Sequence, residues 1–262
     1  MRPMLWMFLF LLLGYAGICL IMYLGQEVMI FPTGTLPEEY AFSIDGPYEE
    51  VWLDRPDGRV HGLYLRAPQA RGAVLYFHGN GGHLAEWAEV AAPFHARSLD
   101  VFMIDYRGYG KSRGRRSQAT MLADALAAYD WLAERWVASD IRLYGRSLGS
   151  GFAAYVAAER PARHLLLETP YYALADVAAG RFPWLPVRPL MRFPMPSHRW
   201  LEAVDCPIRW IHGDRDEVIP VAHARRLRAL LPAGTYVEVP GGHHNDLATY
   251  PAFAPWLEAG LK

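Results

Sequence analysis

The sequence predicts an α/β domain on a mostly parallel sheet, and three observations carry that prediction. First, short apolar runs recur at Ala73-Val74-Leu75-Tyr76-Phe77, Val101-Phe102-Met103-Ile104, Ile141-Arg142-Leu143-Tyr144, His164-Leu165-Leu166-Leu167, Ile208-Arg209-Trp210-Ile211 and Tyr236-Val237-Glu238-Val239. Second, stretches of helical composition separate most of them, at residues 84–97, 117–136, 149–160 and 222–231. Strands that are apolar throughout need cover on both faces, and helices between successive strands provide it for a parallel sheet. Third, the alternating segments 48–53 and 60–65 flank Pro56-Asp57-Gly58. That pattern reads as an antiparallel hairpin at the N-terminal edge of the sheet.

The 262 residues, 52% of them hydrophobic, suffice for one sizeable core. A net charge of −1 without a clustered basic stripe argues against a nucleic-acid partner. Cys19 and Cys206 are the only cysteines, so there is no disulfide framework, and Cys206 reads as a small core residue.

Residues 4–24 carry no charge, which covers the roughly 20 residues needed to cross a bilayer core. A cleaved signal peptide competes, but Gly14-Tyr15-Ala16-Gly17 is a poor cleavage site, and Ile18 before Cys19 does not fit a lipoprotein. The expected organisation is therefore an anchor and connector over residues 1–30, with a catalytic domain over 31–262. Arg2 and the amino terminus are the positive charges before the span, and no Lys or Arg follows it until Arg55. This favours a single-pass protein with a cytoplasmic N-terminus and the domain on the opposite side. Within the domain, residues 170–205 hold six prolines among many aromatics, too long for an ordinary connection and suited to a small lid over the sheet edge. An apolar lid can line a site, pack on the core or touch the membrane.

Candidate chemistry starts at Gly145-Arg146-Ser147-Leu148-Gly149, between an apolar strand and a helical stretch. A turn this sharp needs small neighbours, and it pushes Ser147 out with the Leu148 amide beside it. The strand ending at Phe77 runs into His78-Gly79-Asn80-Gly81-Gly82, a loop suited to supply a second backbone N–H for an oxyanion. Asn80 N–H and Leu148 N–H are the expected donors, and His78 is read as a brace for the loop. A serine nucleophile also needs an imidazole held by a carboxylate. The loops His212-Gly213-Asp214-Arg215-Asp216 and His243-His244-Asn245-Asp246 leave the same sheet edge as Ser147 and offer both.

These pieces, together with Asp105-Tyr106-Arg107-Gly108-Tyr109-Gly110-Lys111-Ser112, resemble the serine hydrolases of the α/β-hydrolase superfamily, in particular their membrane-anchored esterase and depalmitoylase-like branch. The resemblance implies the α/β-hydrolase fold, with Ser147 as nucleophile, Asp216 as acid and His244 as base. Asp214, Glu168 and His243 are the rivals. It implies cleavage of carboxylic esters or thioesters, a lipid-like or small acyl substrate, and neither metal nor cofactor. A peptidase or amidase on the same residues and a non-catalytic binding domain are the alternatives. For Asp105 the expected role is an internal hydrogen bond to Arg107 or one that stabilises a loop.

Overall fold

The computed structural model describes residues 2–32 and 34–262, so the amino-terminal residue of the anchor and Thr33 just after the connector lie outside the described residues. In chain order, helix α1 (Arg2–Ile30) precedes a hairpin of β1 (Tyr48–Arg55) and β2 (Gly58–Leu65), followed by β3 (Ala73–Phe77). Two short helices, α2 (Leu84–Trp87) and α3 (Ala92–His95), lead to β4 (Asp100–Ile104), the two-residue β5 (Arg113–Gly114) and helix α4 (Gln118–Ala133). Then come β6 (Ile141–Arg146), α5 (Gly149–Glu159) and β7 (His164–Glu168). After β7 lie α6 (Leu174–Arg181), α7 (Val187–Leu190) and α8 (Ser197–Leu201). The chain closes with β8 (Ile208–Gly213), α9 (Ala222–Leu230), β9 (Thr235–Val239) and α10 (Phe253–Leu261).

The sheet order is β1-β2-β4-β3-β6-β7-β8-β9, with β5 on β2. The pairings of β2 with β1, β4 and β5 are antiparallel, and every pairing from β4 to β9 is parallel. The period of two along each strand divides the core. Leu75, Phe77, Leu165, Leu167 and Trp210 face the side covered by α4 and α5. Val74, Tyr76, Leu166 and Ile211 face the side that holds Trp256 of α10. A strand buried on both faces has no polar side, so its sequence shows no alternation.

Three details differ from the sequence expectation. The hairpin closes more tightly, with Arg55 opposite Gly58 across a two-residue turn. The helix expected over 84–97 breaks into α2, a 3-10 turn at Ala88–Ala91 and α3. Pro93 is the cause, since it lacks an N–H and its ring would crowd the carbonyl of Glu89 in a continuous helix. Finally, Arg107 does not pair with Asp105. It bonds Asp124 on α4 at 2.6 and 3.0 Å and Asp57 of the hairpin turn at 2.7 Å. Asp105 instead accepts the Leu84 N–H at 3.1 Å, the loop-bracing alternative. Gly110 makes room for that carboxylate, because a β-carbon there would lie 1.9 Å from Asp105 Oδ2.

The Arg107 guanidinium is almost fully buried, and the bond to Asp124 holds it above its usual range. Asp124→Ala leaves that charge with Asp57 alone. We expect a loss of about 3 kcal/mol or more in unfolding free energy, read from denaturant titration; a loss under about 1 kcal/mol would show that Asp57 and water suffice.

Candidate active site

Ser147 sits between β6 and α5 with φ at +51°, the left-handed backbone that a sharp strand-to-helix turn imposes on its apex. Two glycines permit it. A β-carbon on Gly149 would lie 2.0 Å from the Phe77 carbonyl oxygen, and one on Gly145 would lie 2.5 Å from the Gly149 carbonyl oxygen. The end of β3 therefore touches the elbow directly. The Ser147 N–H donates to the Glu168 carbonyl at 2.9 Å, and Tyr171 Oη donates to the Leu148 carbonyl at 3.1 Å, so β7 and the loop after it brace the same turn.

His244 Nε2 lies 2.9 Å from Ser147 Oγ, and its Nδ1 lies 2.7 Å from Asp216 Oδ2. All three residues are buried. His244 thus stands between a hydroxyl and a carboxylate, one ring nitrogen within hydrogen-bond distance of each. Asp216 is tightly held: its Oδ1 accepts the N–H groups of Val218 at 2.9 Å and Ile219 at 2.8 Å. His212 Nε2 stands 3.2 Å from its Oδ2. Burial by itself would raise the Asp216 pKa, but the bonds from His212 and His244, the nearby imidazole charge and the Ile219 N–H outweigh it. The carboxyl stays well below its ordinary range and remains ionised at neutral pH.

The rival residues lie elsewhere. His243 is exposed and its Nδ1 faces Glu217 at 3.1 Å. Asp214 accepts the Gly241 N–H at 2.7 Å, tying the loops after β8 and β9 together. Glu168 accepts from Tyr144 Oη at 2.6 Å and pairs with Arg146 at 3.3 Å, on the far side of the elbow. Arg146 reaches Asn245 Oδ1 at 3.1 Å, steadying the loop that carries His244.

The glycine-rich loop after β3 lies against the elbow, with the β-carbon direction of Gly79 3.7 Å from Ser147 Cβ. Among the described residues, the N–H groups of Asn80 and Leu148 meet no acceptor, and both residues line the same cavity as Ser147. His78 is wholly buried. Burial lowers its pKa, and its Nδ1 is 2.7 Å from the Gly79 carbonyl, which fits a neutral brace. The Asn80 side chain has a task the sequence did not reveal: its amide donates to the Ile30 carbonyl at the end of α1, at 2.5 Å, while its oxygen accepts from Tyr109 Oη at 2.6 Å.

Sequence reasoning also passed over His212 and Gln26. The first has a readable signal, since it stands at a strand end four residues before Asp216. The second is a lone amide near the end of an apolar helix, and such residues in membrane segments have partners. Among the described residues, no group of three or more His, Cys, Asp or Glu is arranged to hold a metal ion.

This geometry joins the parallel sheet, an elbow at a strand end and loops gathered at one rim, and the chain belongs to the α/β-hydrolase family. It is a hydrolase that resembles the branch holding WAV2 and bem46. The family described as "Serine aminopeptidase, S33" matches residues 68–197. The uncharacterized protein Rv2307c of Mycobacterium tuberculosis is 35% identical over 88% of this chain and 84% of its own. The α/β hydrolase domain-containing protein WAV2 of Arabidopsis thaliana is 29% identical over 94% of this chain and 86% of its own. Among solved structures, the Pyrococcus furiosus esterase Pf2001 superposes with a TM-score of 0.68 at 17% identity, covering 88% of this chain and 97% of that one. That likeness concerns the fold.

His223 on α9 is buried, and its Nδ1 accepts the Tyr172 N–H at 3.2 Å, which requires a neutral ring. Burial, aided by the Arg226 charge, pulls its pKa from 6.5 down to about 4. Between those values the unfolded chain binds the extra proton and the folded one does not, so stability falls as the solution is acidified through that window. The thermal midpoint should drop from pH 7 toward pH 4, and His223→Gln should flatten the slope. An unchanged slope in the variant would reject His223 as a contributor.

Proposed function

We propose that the protein is a serine hydrolase that cleaves carboxylic esters or thioesters through an acyl-enzyme. Ser147 is the nucleophile, His244 the base, Asp216 the orienting carboxylate, and the N–H groups of Asn80 and Leu148 are the oxyanion donors. The observation that supports this most is the unbroken line of contacts from Ser147 Oγ through His244 to Asp216.

In the first half-reaction Oγ attacks the acyl carbon while His244 Nε2 takes its proton. Negative charge moves onto the carbonyl oxygen, toward the two N–H groups, each of which typically supplies a few kcal/mol to such a transition state. The imidazolium then gives its proton to the departing alkoxide or thiolate. Water enters, loses a proton to Nε2, and its oxygen attacks the same carbon, which releases the carboxylic acid and restores Ser147. Asp216, ionised throughout, keeps the ring in the tautomer that presents a bare Nε2 to the hydroxyl.

An aminopeptidase uses the same chemistry but needs an acidic group to hold the substrate amine. Among the described residues, none lining the cavity beside Ser147 is acidic. Asp176 of the lid is engaged by Arg188 at 2.9 Å and Arg226 at 2.7 Å. This favours esters over peptides. The unbroken contact line likewise favours an enzyme over a binding domain, which has no need of it. Helix α1 is long and apolar enough to span a membrane. We assign it as the anchor, with the N-terminus cytoplasmic and the domain on the opposite side.

Ser147→Ala should abolish ester turnover and labelling by a fluorophosphonate probe, with the thermal midpoint nearly unchanged. Turnover retained by the purified variant would remove Ser147 from the mechanism. Asp216→Asn should lower kcat by about 10³-fold or more, since the ring then adopts the wrong tautomer; near-normal rates would point to another acid. Protease added to sealed cells should digest the domain from outside, and protection would reverse the assigned orientation.

A further inference from the structure

We propose that the C-terminal turns of α1 and the lid together form the acyl-chain site, so that the membrane helix is a specificity-determining wall of the enzyme and the chain enters between helix and lid from the bilayer. This rests on the reading of Ser147 as nucleophile and names the substrate class: esters or thioesters of a single long aliphatic chain.

A cavity of about 330 Å³, within the range of small-molecule sites, has Ser147 and Leu148 in its lining. One wall is α1, which presents Met22, Gln26 and Met29 at helical spacing. The facing wall is the lid, with Val177, Leu185 and Leu190. Such a surface offers an aliphatic chain contact along its length, and thioether side chains adapt to chains of different shape.

The helix is built into the domain as well as tethered to it. Gln26 is buried on a helix whose other side chains are mostly exposed. Its amide nitrogen donates to the Leu190 carbonyl at 2.8 Å and its oxygen accepts the Arg192 N–H at 2.7 Å. Glu27 pairs with Arg192 at 2.7 Å and Arg116 at 3.4 Å. An unpaired amide or carboxylate near hydrocarbon is costly, so these residues hold lid and helix in register. The Asn80 bond to the Ile30 carbonyl extends the attachment to the loop beside Ser147.

Depth follows from a second contact. Tyr15 Oη donates to the Trp184 carbonyl at 2.9 Å. Tyr15 precedes Tyr23 by two turns, about 12 Å along the axis at 1.5 Å per residue. The lid tip, with Trp184 56% exposed and Leu185 beside it, thus lies against the uncharged part of α1. Seated in a bilayer, that tip dips below the headgroups, and the gap between tip and helix faces acyl chains.

The test uses the full chain in phosphatidylcholine vesicles and compares kcat/KM for p-nitrophenyl palmitate and p-nitrophenyl butyrate. Met22→Trp and Met29→Trp narrow the cavity and should lower the palmitate-to-butyrate ratio about tenfold. Met22→Ala and Met29→Ala, which add no bulk and favour the helix, should shift the ratio away from the wild-type value even if the tryptophan variants fold poorly. Ile21→Trp, whose side chain faces lipid, should leave the ratio unchanged. The proposal fails if neither pair of cavity variants moves the ratio, or if Ile21→Trp moves it equally. Failure of the wild-type protein to hydrolyse either ester would instead overturn the serine-hydrolase reading beneath it.

Discussion

The site depends on a contact too close to admit a methyl group: the Phe77 carbonyl at the end of β3 against the α-carbon of Gly149. This approach lets α5 begin directly beneath the loop that follows β3. It leaves Ser147 strained at φ +51° at the turn between β6 and α5. Strain of this kind persists only where the surroundings over-determine it. Here the Glu168 carbonyl, the Tyr171 hydroxyl and the packed faces of β6 and α5 do so.

The carboxylate end of the site shows a similar economy. Asp216 takes two backbone N–H groups on one oxygen and faces two imidazoles with the other. His212 also lies 2.8 Å from the Ile219 carbonyl, so the residue that steadies Asp216 steadies the loop carrying it. A carboxylate held by this many donors has little freedom to turn, and His244 inherits that rigidity.

Helix α1 is joined to the rest of the domain through its last turns. Most of α1 is exposed and apolar, yet its last turns carry the polar residues that dock it. Gln26, Glu27 and the Ile30 carbonyl meet the lid, α4's leading loop and the glycine-rich loop respectively.

The α/β class, the parallel sheet and its antiparallel edge are legible in the amino-acid order alone. Strands buried on both faces must be apolar throughout, and helices between them must carry a different period, so local composition suffices. The same order marked the elbow because only glycine fits beside so sharp a turn. The break of the helix around Pro93 is legible too, from a proline inside a helical stretch. What it could not show is that Arg107 reaches Asp124 and Asp57 in preference to Asp105, that His244 faces Ser147 while His243 turns to Glu217, or that Gln26 meets residues more than 160 positions away. Each is a choice between chemically equivalent neighbours or a contact across great sequence distance. Only tertiary structure decides it, because the deciding quantity is direction in space.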